Sequence, residues 1–166
     1  MYRKRLTRTE ENPSYPLSMK KIFDRETRDE LIGRIDRLNE SCTARWGTMN
    51  AYQMVKHCTL WEEMVHGKKK QKRVFLGYFF GKMALKSMIG DDRPVKRNMP
   101  TLPQLRVHQE TGDLSAAKNK WISFIKEYEN YPNEGFTHPF MGKITKEQVG
   151  YLAYKHTDHH LRQFNV

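Results

Sequence analysis

Two histidines near the end of the chain, His156 and His160, are the residues whose type and spacing most directly suggest chemistry. On an α-helix, positions i and i+4 share one face with Cβ atoms roughly 5–6 Å apart, so both imidazoles can reach one ion. Neutral imidazole suits zinc, nickel, iron and copper. The same pair serves equally well as two hydrogen-bonded core residues, because a buried polar group needs only a partner. A third histidine bears on that choice. His57 falls on the inward stripe of an earlier helix, among Met54, Cys58, Trp61 and Met64 or Val65. If a bundle sets these two helices side by side, three imidazoles converge, and without an ion they are three costly polar burials. Three nitrogen ligands leave a position for water or substrate, as catalytic sites do. A divalent ion there lowers the pKa of water or of a thiol towards neutrality.

The elements that must position these residues are helical. A chain of 166 residues fits one domain and can bury a core without staples. Residues 1–22 read as a basic N-terminal arm, interrupted by Pro13 and Pro16, and residues 23–166 as the helical domain. A first helix starts near Asp24, carries Leu31, Ile35 and Leu38 on one face, and ends around residues 39–41. A second runs from Thr48 or Asn50 to His66, where Gly67 stops it. The third, residues 74–89, is weakened by Gly77 and Gly81; its Phe75, Phe79 and Phe80 are expected in the core. The loop over residues 91–112 is long enough to be a lid or a packed surface excursion. A fourth helix spans residues 114–131, and the last opens on Thr145 and Gln148 as a capping box. The last helix then runs Val149, Leu152 or Ala153, His156, His160 and Gln163 along one stripe. No alternating strand of useful length is visible, which makes an all-α bundle the expected class.

Three segments carry a family resemblance. The stretch RWGTMNAYQMVKHC (residues 45–58) resembles the DinB-like segment that brings the first metal histidine on a second helix. KHTDHHLRQ (residues 155–163) resembles the closing H-x-x-H-H motif of the same superfamily, and HPFMGKITKEQ (residues 138–148) the Gly and Thr-led helix start of a subfamily of unassigned function. The resemblance runs from about Asp24 to the C-terminus and implies a DinB-like four-helix bundle. It implies a divalent metal on His57, His156 and His160, with His159 turned around the helix, behind the ligands or at the surface. Zinc and nickel come first as the ion, iron and manganese next. DinB-like relatives include thiol-dependent transferases and isomerases. The expectation is therefore a metal-dependent, S-transferase-like enzyme acting on a small-molecule substrate or a low-molecular-weight thiol. The alternative is a non-catalytic metal-binding or stress-response module acting through a homodimer or another partner. The basic arm, the run over residues 68–73 and the loop over residues 91–112 depart from the family pattern.

Charge and composition narrow the partners. The formal net charge is +11, with 37% hydrophobic and 30% charged residues. Basic residues gather in residues 2–8, 68–73 and 93–97, which favours anionic ligands. No RNP-type aromatics, GxxG loop or zinc-finger spacing accompanies them, so specific nucleic-acid binding is not expected. No stretch is long and apolar enough to span a bilayer, and no apolar segment follows the basic start as in a signal peptide; the cytoplasm is the expected compartment. Cys42 and Cys58 lack CxxC spacing, and Cys58 reads as a small hydrophobe. Among possible acid–base partners, Glu62 and Glu63 are expected to be solvated and Asp158 to point away from the ligands. His138 and Tyr154 are expected to be structural more than pocket residues.

Overall fold

In the computed structural model, residues 19–69, 71–132 and 134–166 are described. Helices dominate: α1 (Arg25–Asp36), α2 (Ala51–Val65), α3 (Gly77–Ile89), α4 (Leu114–Glu127) and α5 (Lys146–Gln163). Short 3-10 turns cover Pro103–Leu105 and Tyr128–Asn130. Contrary to the strand-free expectation, Phe136–His138 (β1) pairs antiparallel with Gly142–Ile144 (β2), Phe136 opposite Ile144. Three residues per strand are too few to show an alternation in sequence.

Side chains set the helix starts. Asn50 accepts from the Gln53 backbone N–H at 2.9 Å while the Asn50 N–H donates to Gln53 Oε1 at 3.0 Å. Thr145 and Gln148 make the same reciprocal pair at the start of α5, so both histidine-bearing helices begin at a capping box. Helices α1 and α2 each pack against α4 and α5, closing a ring around the core, while α3 lies outside against α5 and β2. Leu31, Ile35, Met54, Trp121, Ile125 and Leu161 fill the ring with almost no exposure. Each aliphatic residue so buried contributes about 1.5–3 kcal/mol. The arm expected over residues 1–22 falls outside the described residues as far as residue 18. Its last part belongs to the core: Met19 and Ile22 are buried, and the Ile22 N–H donates to Gly150 O at 3.1 Å.

Two expectations about α2 and α3 are corrected. Eleven of the fifteen residues of α2 are buried, including Glu62 and Glu63, so its polar residues do not define a solvated face. Phe75, in the turn before α3, and Phe79 and Phe80 on it stand outside the core, 72%, 69% and 50% exposed. The inward face is instead Gly77, Gly81, Leu85 and Ile89. A Cβ at Gly77 or Gly81 would sit 2.3 or 2.2 Å from Phe140 O, so only glycine lets the helix lie this close to the β1–β2 turn. The loop over residues 91–112 is a packed excursion: Asn50 Nδ2 donates to Glu110 O at 2.7 Å, Gln53 Nε2 to Val107 O at 3.3 Å, and Leu105 is buried. Among the described residues, no helix is long and apolar enough to cross a membrane.

Candidate metal centre

The contact of α2 with α5 brings His57, His156 and His160 together, as the sequence predicts. Each offers one ring nitrogen, and these atoms lie within 4.8 Å of one another. The ring centroids are 4.8 Å apart for His57–His160 and His156–His160, and 5.4 Å for His57–His156. Trp61, one turn after His57, stacks on His156 at 4.5 Å and 17°.

Hydrogen bonds fix two of the three tautomers. His57 Nδ1 lies 2.9 Å from Leu105 O, and a carbonyl can only accept, so Nδ1 carries the proton and Nε2 the free lone pair. His160 Nδ1 lies 2.9 Å from Gln163 Oε1. The Gln163 amide is oriented by its other end, which donates from Nε2 to Trp46 O at 2.7 Å. Its oxygen therefore faces His160, and Nε2 of His160 is also left unprotonated. The turn carrying Trp46 owes its shape to Gly47, whose φ is +78° and where a Cβ would stand 2.8 Å from Gln163 Nε2. His156 Nδ1 is buried with no partner among the described residues.

Burial holds all three imidazoles neutral. It pushes His57 below the usual histidine range, helped by no charge. It pushes His156 well below, with further lowering from His160 and His57, and His160 down to about 3. Uncharged imidazole is the ligand form, and backbone or amide acceptors on Nδ1 are the partners that orient metal-binding histidines. Zinc–nitrogen bonds of about 2.0–2.1 Å put tetrahedral ligand atoms roughly 3.3 Å apart, so a modest inward shift of these rings completes the fit. The three residues suit a divalent transition ion. His57 and His160 are buried and His156 is partly buried, its ring covered on one face by Trp61 and its Nδ1 enclosed.

Other sequence candidates lie elsewhere. Asp158 binds Arg34 at 2.7 Å and Arg162 at 2.6 Å, tying α5 to α1. His138 Nδ1 accepts from the Phe140 and Met141 N–H groups at 3.1 and 3.0 Å and so builds the β1–β2 turn; burial, then Arg73, pushes its pKa down to about 4. Tyr154 is half-buried, with the Lys20 ammonium 6.0 Å from its ring. Cys58 is fully enclosed, and burial pushes its thiol well up, which removes it as a nucleophile. His159 stands 5.6 Å from Trp46 at the edge of a cavity of about 380 Å³ that also includes Arg45, Arg97 and Arg162. Arg97 lies 4.4 Å above the Trp46 ring.

Three features escaped the sequence. The Leu105 carbonyl carries no side-chain signal. Gln163 continues the inward stripe three residues after His160, a spacing that could have suggested its hydrogen bond. A buried acid was also missed: Tyr128 donates its hydroxyl to Glu62 Oε2 at 2.6 Å, His66 Nε2 lies 3.9 Å from the same oxygen, and burial raises the Glu62 carboxyl to about 8.

A family model described as a protein of unknown function, DUF1569, matches residues 18–166. No curated protein and no solved structure gives a match to the chain.

Proposed function

The chain belongs to the DUF1569 family of proteins of unknown function, and for it we propose a metal-dependent enzyme built on a DinB-like four-helix bundle. In this reading His57, His156 and His160 hold one divalent ion, zinc or nickel first, and the reaction class is transfer to the sulfur of a low-molecular-weight thiol. The observation that carries it is the convergence of three neutral imidazoles, two with Nδ1–H committed to Leu105 O and Gln163 Oε1 and Nε2 turned free. An ion bound there supplies a Lewis acid with a position left for a thiol or water, whose pKa falls towards neutrality.

The chain's own residues do the remaining work. Leu105 and Gln163 orient the rings, and the Trp61 face shields His156 from water on one side. Cys58 is enclosed and protonated, so the thiol comes from outside the protein. The cleft of Arg45, Arg97 and Arg162, one histidine ring away from His160, favours an anionic thiol or electrophile.

Elemental analysis of the tag-free protein beside His57→Ala and His160→Ala tests the metal. Near one equivalent in the wild type, lost in both variants while helicity persists, is the expected result. No metal after reconstitution with zinc, nickel, iron and manganese overturns it. A screen of thiols against electrophiles then tests the reaction: turnover no faster than that of His57→Ala leaves a metal-binding module rather than an enzyme.

A further inference from the structure

Among the described residues, six of the seven large hydrophobic side chains that stand exposed lie between residues 75 and 83: Phe75, Leu76, Tyr78, Phe79, Phe80 and Met83. A patch so concentrated is not ordinary surface. The close approach at Gly77 and Gly81 turns α3 so that its side-chain-free face meets the β1–β2 turn and its aromatic face has nowhere to go but outward. From residue 68 to residue 90 the sequence holds seven Lys and Arg and no Asp or Glu. Lys68, Lys69, Lys72, Lys82 and Lys86 are exposed, Lys82 and Lys86 on α3 itself, and Arg73 lies 4.6 Å over the Tyr78 ring. Lys69 is the one of these that pairs with an acid, Glu63 at 2.6 Å.

We propose that this face of α3 seats the protein on an anionic lipid bilayer. Phe75, Phe79, Phe80 and Met83 enter the boundary between headgroups and acyl chains, and Lys68, Lys72, Lys82 and Lys86 meet the lipid phosphates. Charge selects this occupant. A second copy would bring two lysine fringes together with no acid in the segment to oppose them, on chains that each carry a net charge of +11. An anionic bilayer offers both halves of the complement, apolar depth for the aromatic rings and negative charge for the fringe. The helix lies in the interface plane; it is too short and too charged to cross.

Co-sedimentation of the full chain with vesicles of phosphatidylcholine, with and without phosphatidylglycerol, tests the proposal. The wild type partitions onto the anionic vesicles and not the neutral ones. Replacing Phe75, Phe79 and Phe80 together by Ser changes no charge and touches no core, so helicity persists while partitioning falls by at least about tenfold. Lys82→Gln with Lys86→Gln weakens binding several-fold and flattens its salt dependence. A Phe79→Trp variant shows an emission blue shift on anionic vesicles beyond that of the wild type. Absent binding, or binding equal in the triple Ser variant, overturns the proposal, the latter because charge alone would then suffice. A wild-type dimer by sedimentation velocity that the triple Ser variant converts to monomer also overturns it, in favour of a second copy.

Discussion

Glu62 offers a sharp test of the buried polar chemistry on α2. Its carboxyl is wholly enclosed, and burial raises it from an ordinary value of 4.5 to about 8. The folded protein therefore keeps this proton through a range in which the unfolded chain has released it. Stability must fall as pH rises from about 4.5 and level off only above about 8. The two values imply a loss of roughly 3 kcal/mol by pH 7 and roughly 5 kcal/mol above pH 9. Glu62→Gln keeps an oxygen to accept from the Tyr128 hydroxyl and cannot ionise. The variant should match the wild type near pH 4.5 and exceed it progressively, by roughly 3 kcal/mol at pH 7. That is a rise in Tm on the order of 10 °C for a chain of this size. Urea unfolding at pH 5, 7 and 9 measures the difference directly, since titrating groups remote from Glu62 cancel between the two proteins. A gap that stays constant with pH, or that closes as pH rises, refutes the claim that Glu62 is held protonated.

Three further outcomes follow from the site and its supports. Gln163→Leu removes the acceptor on His160 Nδ1 and leaves Trp46 O without its donor, so metal affinity measured by chelator competition should fall about 10–100-fold without loss of stoichiometry. Gly81→Ala drives a methyl to 2.2 Å from Phe140 O, and thermal unfolding should show a loss of roughly 1–3 kcal/mol. In the metal-free protein His160 has a folded pKa of about 3 against 6.5 unfolded, so acid protonates the unfolded chain first. Apo stability should therefore drop by roughly 1.4 kcal/mol per pH unit for this histidine as pH falls from 6.5 towards 3, and removing it as His160→Phe should flatten that limb of the urea-unfolding profile.

The histidines were legible because each sits on a helix whose stripe is defined by neighbours of one kind. His156 and His160 prolong the apolar line Val149–Leu152 of α5, which begins at the capping box read from Thr145 and Gln148; the matching box of Asn50 and Gln53 at the start of α2 emerged only in the structure. Glu62 and Glu63 were not legible, because α2 is enclosed on nearly every side and the rule that polar residues mark the wet face has no wet face to mark. Helix α3 inverts the same rule. Its phenylalanines suggest a core helix, and its glycines suggest a weak one, whereas the glycines are the packing face and the rings are outside. Sequence periodicity reports which residues share a face; it does not report which face meets backbone at a distance no side chain can occupy.

The last two turns of α5 show why one short motif does so much. His156 and His160 turn towards α2, and Gln163 continues that face to lock His160 against the Trp46 turn. Asp158 turns the other way, to Arg34 of α1, and holds Arg162 on its own helix. His159 stands between, over Trp46, on the wall of the arginine cleft. A helix can present three directions within five residues only because its period is 3.6, so a contiguous H-x-x-H-H string places two of the three clustered histidines, a partner to another helix and a cleft residue at once. Gln163 thus joins two of these directions, its Nε2 donating to Trp46 O beside the arginine cleft and its Oε1 accepting from His160 Nδ1 within the histidine cluster.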